Sequence, residues 1–208
     1  MQKSQIPSHD FSIYMKLLVS MVLALTGVTA IAAEPAYTCN TDRGCKEESG
    51  PEYALGRGAK ITLPEGWRFY TYPTAPIPEM AGLREIRAVR NGQVIAITPM
   101  PKPEQLVASE SQICSWISEG AKQYVAKSEE KAVTPVAFSQ NGVVGCYVTF
   151  TSANPGEKPF AVLANRRHAS VASFAIVHPK VIFSVSAVSE TAPDDDYRAA
   201  LEAIKHIQ

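Results

Sequence analysis

The chain is poor in the residue types that most catalytic chemistry needs. Histidine and cysteine each occur 4 times in 208 residues, and neither falls in a pattern that names a reaction. There is no H-E-x-x-H, C-x-x-C, G-x-S-x-G, phosphate-binding glycine loop or dinucleotide fingerprint, so the activities that rest on those motifs have no support. Charge is sparse as well: charged residues make up 19% and the formal net charge is zero. With no basic excess and no Lys/Arg run, there is no electrostatic case for a nucleic-acid partner. No cofactor and no metal is expected.

Long apolar runs are missing too, with one exception. Met15 to Ala33 reads MKLLVSMVLALTGVTAIAA, a basic start and an apolar stretch that ends in the small-residue pattern Ala30-Ile31-Ala32. These are the marks of a secretory signal peptide cleaved after Ala32, with an uncleaved anchor as the rival reading. The residues before Met15 include Asp10 and do not resemble the start of such a peptide, so Met15 is an alternative first residue. Tyr37, close before Cys39, spoils a lipoprotein pattern. Residues 1–32 are therefore read as a signal peptide and 33–208 as an exported chain with no further membrane insertion. Export removes Lys3, Lys16 and Asp10 and leaves a single net negative charge.

Cys39, Cys45, Cys114 and Cys146 all follow this segment. An even count in an exported chain reads as disulfides, and the spacings do not match the paired short spacings of structural zinc sites. Cys39 with Cys45 and Cys114 with Cys146 is preferred over the two other connectivities, for a reason that comes from the layout.

Residues 33–58 are rich in Glu, Gly, Pro, Asn and Asp and read as an irregular leader looped by Cys39 and Cys45. Residues 59–208 read as one domain. In it, Pro64-Glu65-Gly66 turns the chain before Trp67, and strand alternation sends Trp67 and Phe69 inward and Tyr70 and Tyr72 to the opposite face. Asn91-Gly92 and Asn141-Gly142 are type I′ hairpin signals. Asn154-Pro155-Gly156 turns toward FAVLAN, and His178-Pro179-Lys180 separates SVASFAIV from VIFSVSAV. A helix is predicted over about 104–128, with Leu106, Ile113, Trp116, Ile117, Gly120 and Tyr124 on one stripe. Either Pro103 or the capping box Ser109-x-x-Gln112 would start it. A second helix is predicted over about 195–206, where Asp194, Asp195 and Asp196 supply a cap; three consecutive carboxylates cannot all face one calcium ion. The fold class expected is α+β, an antiparallel sheet of about six or seven strands covered by a long central helix and a C-terminal helix. Laying the first helix on the strand face that carries Val144, Cys146, Val148 and Phe150 brings Cys114 to Cys146.

Two stretches could carry function. Asn165 to Ser170 (NRRHAS) is a cationic break between apolar strands, and Arg166, Arg167 and His168 there would suit an anion or a partner. Solvated charges at a strand end are the plainer reading. A nucleophilic pair of Ser170 and His168 lacks an orienting acid and an oxyanion hole. The second stretch is the proline-rich Tyr72 to Met80, a surface loop beside Tyr70 and Tyr72, which are the candidate aromatic contacts.

Pro64-Glu65-Gly66-Trp67, the element order and the closing YRAALEAI helix resemble PsbP-like and DcrB-like α/β/α sandwiches over residues 59–208. The resemblance implies an accessory or binding module with no shared catalytic residues; the cysteines are not part of its pattern. The expected function is a non-enzymatic exported binding module, an accessory or assembly factor of the cell envelope whose partner is another protein. The alternatives are an inhibitor or immunity protein, and a hydrolase with a nonstandard site at His168 and Ser170.

Overall fold

The computed structural model describes residues 39, 44–48, 50–74, 77–155, 160 and 167–208. The signal-peptide reading, Arg166 and nearly all of FAVLAN lie outside these residues. Among the described residues ten strands are present: β1 (Lys46–Glu48), β2 (Glu52–Gly56), β3 (Ala59–Thr62), β4 (Arg68–Pro73), β5 (Arg84–Arg90), β6 (Gln93–Pro101), β7 (Val136–Gln140), β8 (Val143–Thr151), β9 (Ser170–Val177) and β10 (Val181–Ser189). The described helices are α1 (Glu110–Val125) and α2 (Asp195–Lys205), with a 3-10 turn at Pro78–Met80. Eight strands form one antiparallel sheet in the order β1-β4-β5-β6-β10-β9-β8-β7, and β2 and β3 form a separate hairpin.

This architecture corrects the expected α+β class with six or seven strands. Among the described residues strand outweighs helix, 45% to 20%, and the fold is mainly β. Two physical causes account for the difference. The central helix is shorter than its apolar stripe, because the chain after Pro101 makes a turn closed by the Leu106 N–H on the Pro103 carbonyl and becomes helical only where Ser109 caps α1 by the full capping box with Gln112. Strands β1 and β2 lie within 33–58, the stretch read as irregular. There Tyr53 and Leu55 alternate into the core between exposed neighbours, a period of two hidden among Glu, Gly and Pro.

The sheet is covered on both faces. On one, Phe69, Ile86, Ile95, Ile97, Phe174, Phe183 and Val185 pack with the β2–β3 hairpin and with Tyr197, Ala200 and Ile204 of α2. Trp67 joins this core, at 7% exposure. Beyond α2 the backbone of Gln208 exchanges two hydrogen bonds with Lys60 of β3, at 2.8 and 3.1 Å. On the other face α1 lies over β8, where Ile113, Cys146, Val177 and Ile182 form one cluster, and Tyr70, Val94, Val148, Phe150 and Ala121 another.

Turn chemistry sets the register. Asn91-Gly92 and Asn141-Gly142 both hold positive φ (43° and 77°, 51° and 78°), which joins β5 to β6 and β7 to β8 by two-residue turns. Both disulfides have the expected pairing, Cys39 with Cys45 and Cys114 with Cys146, the latter tying α1 to β8 at a Cα separation of 5.1 Å. The two bonds point to an oxidising environment, extracellular or periplasmic. No helix among the described residues is long and apolar enough to cross a membrane.

Candidate functional site

The stretch around His168 is a sheet end held on three sides. Arg167 is exposed, but His168 is fully buried and its backbone exchanges hydrogen bonds with Phe160 at 3.0 and 3.1 Å. Next to it, Ala169 donates to Ser189 and its carbonyl accepts from Ser152. Ser170 opens β9 and is 3% exposed. It borders a cavity of about 190 Å³ between β8, β9 and α2, together with Thr151, Tyr197 and Arg198. His168 does not border that cavity. The two residues of the hydrolase alternative therefore do not meet at one open space.

Above Ser170, the first turn of α2 organises a polar seam. The Asp194 carboxylate accepts from the backbone N–H of Tyr197 and from the Gln93 amide, both at 2.8 Å. Those two bonds, in that order, hold its pKa below the ordinary carboxylate range. Burial pushes the Tyr197 phenol up, with Ser170 acting in the opposite sense. Asp194 is the N-cap that the sequence predicts, and Arg90 pairs with Asp196 at 2.6 Å while donating to the Glu65 carbonyl at 3.1 Å. The Pro64–Trp67 corner is thus fastened to α2, and Gly66, at φ 92°, lies beneath the Arg90 guanidinium.

The two other described histidines have structural places. His178 is 8% exposed, and its Nδ1 accepts from the Lys180 N–H at 3.3 Å. Burial first, then the Lys180 charge, lowers its pKa. His206 contacts the Gln140 side chain at 2.6 Å. Among the described residues no three of His, Cys, Asp and Glu are grouped so as to hold a metal ion.

The proline-rich loop gives more. Tyr70 is buried at 3% exposure under α1 and offers no face to a ligand. Tyr72 is half-buried, and the Arg87 guanidinium lies 5.0 Å from its ring centroid. Past Pro73, the Thr74 hydroxyl donates to the carbonyls of Met80 and Leu83 at 3.3 and 3.1 Å, which ties the loop to itself. Met80 plugs the core, and Arg57 donates to the carbonyl of Glu79. Between this loop and Gly44 of the disulfide loop runs an open groove of about 620 Å³. Tyr72, Ile77 and Pro78 supply its apolar surface, and Lys46 and Arg84 its positive charge. Arg84 also pairs with Glu48 at 3.0 Å.

No protein-family model matches the chain, and no curated protein matches it either. The groove itself carries the functional argument. Its described lining sets the apolar side chains of Tyr72, Ile77 and Pro78 beside the cations Lys46 and Arg84, with the hydroxyls of Thr71 and Thr74 among them. It offers apolar contact and cations. Of the sequence candidates, Tyr72 lies in it; Tyr70, Arg167 and His168 are not among its lining residues. Lys46, Gly44 and Arg84 were not singled out in the sequence, because only the pairing of β1 with β4 and of β4 with β5 brings them to one place.

Proposed function

We propose that the chain is an exported, non-enzymatic binding module of the cell envelope that acts through protein contacts, and that the groove between the Cys39–Cys45 loop and the Tyr72–Met80 loop grips the partner. The single observation that carries this reading is the composition of the groove: Tyr72, Ile77 and Pro78 beside Lys46 and Arg84. Ile77 is 46% exposed, an apolar side chain left in water where a partner would cover it. The signal-peptide pattern at Met15 to Ala33 and the two disulfides favour action outside the cytoplasm. The accessory role implied by the resemblance at Pro64–Trp67 belongs to the same proposal.

Arg84→Glu and Ile77→Asp test it. Each should fold, since Ile77 is 46% exposed and the pair that Arg84→Glu breaks with Glu48 is an exposed one worth at most about 1 kcal/mol, and each should lower partner recovery at least tenfold, about 1.4 kcal/mol. Recovery equal to that of the unaltered chain would remove the groove from the account. Loss of a hydrolytic or toxic activity of the recovered partner on complex formation would make the module an inhibitor.

A further inference from the structure

The two edges of the large sheet are treated differently by the sequence. Edge strand β1 is three residues long and reads Lys-Glu-Glu, short and charged in the manner that keeps an edge from pairing with another chain. Edge strand β7 reads Val-Ala-Phe-Ser-Gln, five residues with no charge, proline or bulge, and its only strand partner among the described residues is β8. Four of its five residues are exposed, and Val136 leaves 43% of its surface in water.

The hairpin fixes which backbone groups of β7 remain open. A two-residue turn at Asn141-Gly142 closes on Gln140 opposite Val143, so Gln140, Phe138 and Val136 exchange hydrogen bonds with β8. The N–H and C=O groups of Ala137 and Ser139 then point out of the sheet. No backbone partner for either is present among the described residues. Ala137 and Ser139 stand two apart with Phe138 between them, so a second β7 running antiparallel about a two-fold axis at Phe138 places Ala137 opposite Ser139 twice. Each such pair exchanges two hydrogen bonds.

The side chains suit the same symmetry. On one face only Ala137 and Ser139 would meet, both small. On the other, Phe138 would meet Phe138 of the second copy and Val136 would lie opposite Gln140. Phe138 already ends an aromatic row on that face: its ring centroid is 6.4 Å from Tyr147, which stacks on Phe174 at 5.1 Å. The Phe138 rings lie back over Gly145 of β8, so at the axis the two residues would meet without a ring clash, and no like charges within the strand are opposed.

We infer that β7 is a homodimer edge: two copies of this chain join β7 to β7 antiparallel about Phe138 and make one continuous sheet. The partner is a second copy because the register is self-complementary. Strand β1 is a poor alternative because its charges would face the uncharged β7. The groove of the proposed function lies at the β1–β4 end of the sheet, so the dimer leaves both grooves at its far ends, and neither inference depends on the other.

Sedimentation of the oxidised, exported chain across a dilution series, with amide exchange read residue by residue, tests this. The expected result is a mass that doubles with concentration while the Ala137 and Ser139 amides gain protection in step. Ser139→Pro, which removes an outward N–H that the monomer does not use, should return the mass to that of a monomer. Ala137→Lys, which sets a charge at the edge without touching the backbone, should do the same, and Ser139→Thr should keep the dimer. A monomer at every concentration would overturn the inference, as would a dimer in which those two amides stay unprotected or which survives Ala137→Lys.

Discussion

At Gly145 the backbone of β8 leaves room for the Phe138 ring of β7. A Cβ there would lie 2.6 and 2.8 Å from two ring carbons, closer than packed atoms approach. The absent side chain is what lets an aromatic ring on an edge strand lie flat across its neighbour. Gly145→Ala should therefore destabilise the fold by about 1–3 kcal/mol through overpacking, read as a fall in the denaturation midpoint. In a Phe138→Ala background the same change should cost far less, and an equal cost in both backgrounds would show that the ring is not the obstacle. Gly56 makes a comparable contact at the other end of the molecule. It holds φ 95° and its Cβ would overlap the Gly82 carbonyl, so the β2–β3 hairpin presses directly on the floor of the groove.

Among the elements, α1 depends on its fastening to β8. Only Ile113 and Ala121 of its residues are fully buried, a thin apolar face for a helix of this length. The Cys114–Cys146 bond closes a separation of 32 residues, and in the chain-entropy account such a bond contributes roughly 3–4 kcal/mol. The Cys114→Ala/Cys146→Ala double variant should lose about that much in chemical denaturation, while removing Cys39 and Cys45 together should cost less, since that loop spans only 6. Equal losses from the two pairs would contradict the assignment of α1 to this staple. The pairing was legible in the sequence because Cys146 alternates with Val148 and Phe150 and Cys114 borders the helical stripe. The Asn-Gly hairpins and the Asp194 cap were legible for a similar reason: each is a local choice made by a few adjacent residues. Edge strands β1 and β7 were not. Their residues are mostly exposed, so no alternation marks them, and they become strands only by pairing with β4 and β8. The same dependence on pairing hid Lys46 and Arg84 as groove residues, while Tyr72 stood out because its loop is rich in proline.

At the scale of the whole molecule, the buried polar side chains and the groove lie in different places. His168, Ser170 and Ser189 are buried at the end of the sheet where α2 begins, whereas Ile77, Lys46 and Arg84 border open space beside the first disulfide. Sheet order puts the groove at one end and β7 at the other, with the core and both helices between them. The account stands on the groove as a protein-binding surface, and a photo-crosslinking residue at position 77 in the exported chain examines it at the point of contact. The account predicts one dominant crosslinked partner at position 77, absent when the crosslinker is moved to Ser111 on α1 and lost when Arg84→Glu is added. The same crosslinked species at both positions, or no dependence on Arg84, would contradict it.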